Sequence, residues 1–187
     1  MKQGTDELNA VWQSLNPDRP SLEHLRLSPW TEAKGTVVGL SEGRPFTLVY
    51  RLDLGRDGHP VRLRCDLAGG RSLDLSRSGE GEWTTAQQES LPPLRGCTDV
   101  DIRATPLTNS LALRRLNLRV GEEREVRVVW VDVPSLEVRA RPTHQRYTRT
   151  GERTYRYGNL DSGYRTEITV DGEGPVTLYP GASRRLA

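Results

Sequence analysis

Apolar and polar residues alternate one for one along most of this chain. Phe46, Leu48, Tyr50, Leu52 and Leu54 are separated by Thr47, Val49, Arg51 and Asp53. A period of two puts one set of side chains on a buried face and the other in water, the pattern of a β-strand. Val61, Leu63, Cys65 and Leu67 repeat it against Arg62, Arg64 and Asp66, and Leu73 and Leu75 continue it beyond Gly69-Gly70. Gly55-Arg56-Asp57-Gly58-His59-Pro60 supplies turn chemistry between the first two runs, so the three are predicted to form an antiparallel meander. A second set of short strands is expected at Arg124 to Val131, Leu136 to Ala140, Arg153 to Tyr157, Tyr164 to Val170 and Val176 to Tyr179, punctuated by Pro134, Gly151, Gly158, Gly163 and Gly172.

The period breaks once. Leu107, Leu111, Leu113 and Leu116, with Ala112 and the Arg114-Arg115 pair, read as a helix at about 105 to 118, with Thr108, Asn109 or Ser110 as capping candidates. Many strands and one helix exclude the alternation of a parallel dinucleotide-binding sheet. The expected fold class is all-β and mainly antiparallel, a strongly curved many-stranded sheet whose concave side the helix plugs. No linker, repeat or compositional shift divides the chain, so residues 1–187 are expected to form one domain with a loosely ordered N-terminus of about 20 residues.

Charge narrows the partners. The 27 Lys+Arg against 25 Asp+Glu leave the chain near neutrality, which argues against a nucleic-acid partner. Every basic residue except Lys2 and Lys34 is arginine. No apolar run approaches the roughly 20 residues of a transmembrane helix, and Met1-Lys2-Gln3-Gly4 leads into Asp6 and Glu7 rather than into the apolar core of a secretory signal, so a cytoplasmic protein is expected. Cys65 and Cys97 fall in strand-like runs and read as small buried apolar residues. His24, His59 and His144 show no ligand spacing with them, so neither a metal nor a cofactor is expected.

Three constellations carry candidate chemistry. Asp99 and Asp101 lie two apart and share one strand face; they can serve as an acid/base pair, as ligand contacts, or as the polar face opposite Val100 and Ile102. Thr105-Pro106-Leu107-Thr108-Asn109 opens the helix, where free N–H groups can be capped or can receive an anionic or sugar-like group. One of Arg114 and Arg115 can reach Asp99 or Asp101. From Arg139 to Arg156, six arginines meet one acid, Glu152, in company with Tyr147, Tyr155, Tyr157 and Tyr164; the set suits a polar ligand, or a strand pair with tyrosines inward and arginines in water. No Gly-x-Ser-x-Gly elbow, phosphate-binding Gly-Lys loop or dinucleotide fingerprint is present.

Leu91-Pro92-Pro93-Leu94-Arg95-Gly96-Cys97-Thr98-Asp99-Val100-Asp101-Ile102, then Thr105 to Leu111 and Arg114-Arg115-Leu116, resemble the bacterial "putative glycolipid-binding" family. Arg146-Tyr147-Thr148, Tyr155-Arg156-Tyr157, Val170-Asp171 and Tyr179-Pro180-Gly181 follow in that family's order, and Gly35 to Gly39, Phe46 to Tyr50 and Gly81-Glu82-Trp83 extend the likeness upstream, over residues 22–181. The chain departs from the pattern at Arg95, at Leu107 and at Ala182-Ser183-Arg184. The resemblance implies a spiral β-roll around one helix and a protein that binds a glycolipid or other amphipathic small molecule. Joined with the residue pattern, it leads to a binding protein, monomer or homodimer, whose apolar ligand tail enters between sheet and helix. Asp99, Asp101, Asn109, Arg115, Tyr147, Tyr155 and Tyr157 are the expected ligand contacts. A lipid or sugar hydrolase using Asp99 and Asp101, and a structural domain filled by its helix, are the alternatives.

Overall fold

The computed structural model describes residues 7–138 and 141–187. Seven strands precede the helix in one limb: β1 (Leu8–Ser14), β2 (Ser21–Ser28), β3 (Glu32–Ser41), β4 (Arg44–Leu54), β5 (Pro60–Leu67), β6 (Ser72–Arg77) and β7 (Trp83–Thr85). A short 3-10 turn at Pro92–Leu94 leads to β8 (Asp99–Ile102) and the helix α1 (Leu107–Leu116). The chain then adds β9 (Glu123–Val131), β10 (Thr143–Arg149), β11 (Thr154–Asn159), β12 (Arg165–Val170), β13 (Val176–Tyr179) and β14 (Ser183–Arg185).

All of them form one 14-stranded sheet in the order β7-β6-β5-β4-β3-β2-β1-β14-β13-β12-β11-β10-β9-β8. Neighbours pair antiparallel except β8, which lies parallel to β9 from Asp99↔Val128 to Ile102↔Val131. The outer strands β7 and β8 follow one another in sequence, whereas β1 and β14, from opposite ends of the chain, meet mid-sheet through Trp12↔Arg185 to Ser14↔Ser183. The sheet is curved and unclosed, wrapped around α1 as an all-β spiral roll. Its two edges are tied by side-chain and backbone bonds: Trp83 Nε1 donates to the Cys97 carbonyl at 3.1 Å and Gly96 N to Gly81 O at 3.1 Å.

The meander at β4–β6 buries Leu48, Tyr50, Leu52, Leu63, Cys65 and Leu75, as alternation requires. These join Trp12, Leu25, Leu27, Val100 and Ile102 in one core, while Val126, Val128, Tyr147, Tyr157 and Ile168 of the later strands form another. The helix stitches the two together, giving Leu107 and Leu111 to the first and Ala112 and Leu113 to the second. Burial raises the Cys65 thiol to about 12 and the Cys97 thiol to about 11, which leaves both as packing groups rather than nucleophiles.

Three local expectations change. Residues 8–14, expected within a loosely ordered N-terminus, form β1 between β2 and β14, because Ala10 and Trp12 alternate inward even though polar neighbours dilute the signal; residues 1–6 lie outside the described residues. The strand expected at Leu136 to Ala140 is reduced to one bridge, Val131↔Val138. Leu136 takes a φ of +57°, and its N–H closes a turn onto Asp132 O at 3.0 Å, so the chain reverses where it was expected to extend; residues 139 and 140 lie outside the described residues. None of Thr108, Asn109 and Ser110 caps the helix. The N-cap is Pro106, and just before it Thr105 Oγ1 accepts the Leu107 N–H at 3.0 Å, which leaves the three buried polar residues of the first turn for other contacts.

Candidate functional site

A cleft of about 630 Å³ opens where the two limbs meet around the N-terminal end of α1. Trp12, Phe46, Trp130, Tyr157, Tyr164 and Tyr179 supply its aromatic surfaces, and Glu23, Asp101, Asn109 and Ser183 its inner polar groups, with Arg19 and Arg103 among the lining residues.

Glu23 reaches the cleft by strand parity. It shares the inward face of β2 with Leu25 and Leu27 and is only 3% exposed. On the next strand Gly35, opposite Leu25, pairs with Tyr50 on β4. A Cβ at Gly35 would lie 2.2 Å from the Tyr50 ring, so the glycine gives that ring its place, and from there the Tyr50 hydroxyl donates to Glu23 Oε1. Thr105 Oγ1 is 3.4 Å from the same hydroxyl. Burial pushes the Glu23 carboxyl up from the usual 4.5 to about 7, against the opposing pull of hydrogen bonding by Tyr50 and Thr105. Its Oε2 has no hydrogen-bond partner among the described residues. Ser183 Oγ, also lining the cleft, is buried in the same condition.

The opposite wall is a connected polar network. Asp101 Oδ2 accepts from Gln145 Nε2 at 2.5 Å and Oδ1 from Thr108 Oγ1 at 3.4 Å. The Tyr147 hydroxyl lies 2.9 Å from Asn109 Oδ1 and 3.1 Å from Gln145 Oε1, sharing its proton between them. Because Tyr147 occupies Oδ1, the Nδ2 amide of Asn109 is the end suited to donate into the cleft. Ring contacts extend the wall outward: Tyr157 stands 5.4 Å from Tyr147, 5.8 Å from Tyr179 and 6.3 Å from Tyr164 between centroids. Burial raises the phenols of Tyr147, Tyr157 and Tyr179, so they stay neutral donors at physiological pH.

Of the seven residues expected to touch a ligand, Asp101, Asn109 and Tyr157 line the cleft. Tyr147 stands one contact behind them, bonded to Asn109. Asp99 turns to the helix, where Arg115 grips it at 2.5 and 3.2 Å as a buried ion pair. Tyr155 is buried outside the cleft lining, with the Arg149 guanidinium 5.5 Å from its ring centroid. The basic stretch follows the strand-pair arrangement, Tyr147 facing Tyr157 across β10 and β11 while Arg146 pairs with Glu125. Sequence reasoning missed Glu23, Trp130, Tyr164, Tyr179 and Ser183 as cleft residues. For Glu23 a signal existed, an acid in phase with Leu25 and Leu27; for the others nothing local marks which strand ends converge.

The comparisons agree with this architecture. The chain resembles a crystal structure of a DUF1089 family protein from Pseudomonas aeruginosa with a TM-score of 0.81 and 36% identity, over 89% of this chain and 92% of that one. The search of curated proteins gave no match. A family model described as "Putative glycolipid-binding" matches residues 9–185, nearly the whole span that builds the roll and every residue lining the cleft. The chain therefore belongs to that family.

Proposed function

We propose that this protein binds the head group of a glycolipid, or of a similar amphipathic molecule, in the cleft between the limbs, without chemistry of its own. The observation that carries the reading is the lining itself. Aromatic faces stand beside buried carboxyl, amide and hydroxyl groups in a cavity of about 630 Å³, within the range of about 300–1,000 Å³ usual for small-molecule sites. Rings pack on the C–H faces of a sugar while the polar groups exchange hydrogen bonds with its hydroxyls. A domain filled completely by its helix would have no such space.

The geometry modifies how the ligand lies. Leu107 and Leu111 fill the interface of helix and sheet, at 1% and 5% exposure, so the polar head takes the depth of the cleft and the tail takes the mouth. Leu40 lines the cleft and is 39% exposed. Val38 lies two residues away on the same outer face, opposite Leu22, and the three give the tail an apolar path out of the cleft. The acid/base alternative loses one of its members, because Asp99 is held by Arg115 and does not line the cleft.

Titration with a homologous series of alkyl glycosides, followed by calorimetry, tests the reading. Replacing the half-exposed wall residue Tyr164 by alanine is expected to weaken binding about tenfold, roughly the worth of a lost ring contact, with the fold unchanged. Unaltered affinity in Tyr164→Ala and in Trp130→Ala would place binding elsewhere on the molecule.

A further inference from the structure

The inner acids of the cleft define the ligand class more closely than the aromatic walls do. Glu23 is 3% exposed, lines the cleft, and leaves Oε2 without a hydrogen-bond partner among the described residues. Its other oxygen is fixed by Tyr50, so the free oxygen is held in place rather than free to turn to water. Ser183 Oγ is a second buried acceptor without a partner, and Asp101 adds a second carboxylate to the same lining. Of the two arginines of the lining, Arg103 is paired with Asp132 at 2.6 Å, whereas Arg19 donates only to the Val133 carbonyl at 3.4 Å and keeps its charge, so among the described residues the two acids of the lining outnumber its one unpaired cation.

Glu23 Oε2 and Ser183 Oγ have almost no surface open to water. A neutral hydroxyl offers one proton to one of them. A protonated amine brings a positive charge as well as donors, and so compensates a carboxylate held out of water. The surrounding rings of Trp12, Trp130, Tyr157 and Tyr179 favour a cation further through their negative faces.

We infer that Glu23, with Asp101 and Ser183, forms a subsite for a protonated amine, so that the head group taken by the cleft is an amino sugar or another ammonium-bearing head rather than a neutral glycan. This rests on the reading of the cleft as a head-group site and names the group that it selects. The carboxylate of Glu23 accepts from the ammonium through Oε2, while Tyr50 holds Oε1. Asn109 and the rings bind the rest of the head without regard to charge.

The test compares two probes that differ in one group, octyl glucoside and its 2-amino-2-deoxy counterpart, by calorimetry on the full-length protein near neutral pH. The amine is expected to bind at least about tenfold more tightly. Glu23→Gln, which keeps the shape and removes the charge, is expected to reduce the affinity for the amine more than that for the neutral glycoside and so to abolish the preference. Equal affinity of the wild-type protein for both, or a preference for the neutral probe, overturns the amine subsite and leaves the head-group reading standing. Binding of neither probe overturns both. A preference that survives in Glu23→Gln removes Glu23 from the subsite.

Discussion

Glu23 shows how far a single residue can be read from the chain. Its parity with Leu25 and Leu27 was visible, but the depth at which the acid sits depends on Gly35 and Tyr50, which only strand pairing brings beside it. Three of the seven expected contacts, Asp101, Asn109 and Tyr157, reach the cleft; Asp99 and Arg115 found each other instead, as two opposite charges near one buried strand must. The Glu23 carboxyl is raised from 4.5 to about 7, so the folded state holds its proton more tightly than the unfolded chain does. Its contribution to stability is therefore most favourable at or below about pH 4.5, declines as pH rises towards 7, and levels off above, with a full span of about 3 kcal/mol. Urea unfolding at several pH values should show this decline in the wild-type protein and lose it in Glu23→Gln. An identical pH dependence in the two proteins would contradict the burial argument.

Among the elements, α1 is held in the roll by side-chain bonds along its length. Thr105 Oγ1 accepts the Leu107 N–H at its start, Ser110 Oγ accepts the Val176 N–H at 2.9 Å, Thr108 bonds Asp101, and Arg115 ties its last turn to Asp99 on β8. Leucine spacing and helix-forming residues announced the helix to within about two residues at either end. Its capping residue was misjudged because hydroxyl and amide groups in a first turn look alike in sequence, whether they cap their own backbone or bond across a core. β1 was missed for a related reason: three of its seven side chains are polar, and one of its two flanking strands, β14, comes from the far end of the chain. Cutting the Arg115 tie should be costly. Arg115→Ala leaves the Asp99 carboxylate, 4% exposed on its side chain, without its cation, and a loss of about 3–5 kcal/mol is expected by chemical denaturation. The double replacement Asp99→Leu with Arg115→Met should recover most of it. A loss under about 1 kcal/mol for Arg115→Ala would mean that the pair does not anchor the helix.

At the scale of the molecule, alternation identified the meander and the fold class, and the family resemblance supplied the spiral. Strand order was not legible, because nothing local tells β1 to join β14 or tells β8 to run parallel to β9. The cleft is a product of that long-range order. Its rings and acids come from β1 and β2, from β8 and the start of α1, and from the strands after it, so no continuous motif could contain them. Among the described residues no helix is long and apolar enough to cross a membrane, and the exposed Leu22, Val38 and Leu40 give the outer face beside the cleft its apolar character. That the cleft holds a glycolipid is the central claim, and native mass spectrometry tests it most directly. The protein, incubated with a total polar-lipid extract from bacteria, is expected to carry one glycolipid per chain, identified after organic extraction and depleted in Tyr164→Ala at the same lipid concentration. A chain that remains without lipid under those conditions, or one that retains the same lipid in Tyr164→Ala and Trp130→Ala alike, would contradict it.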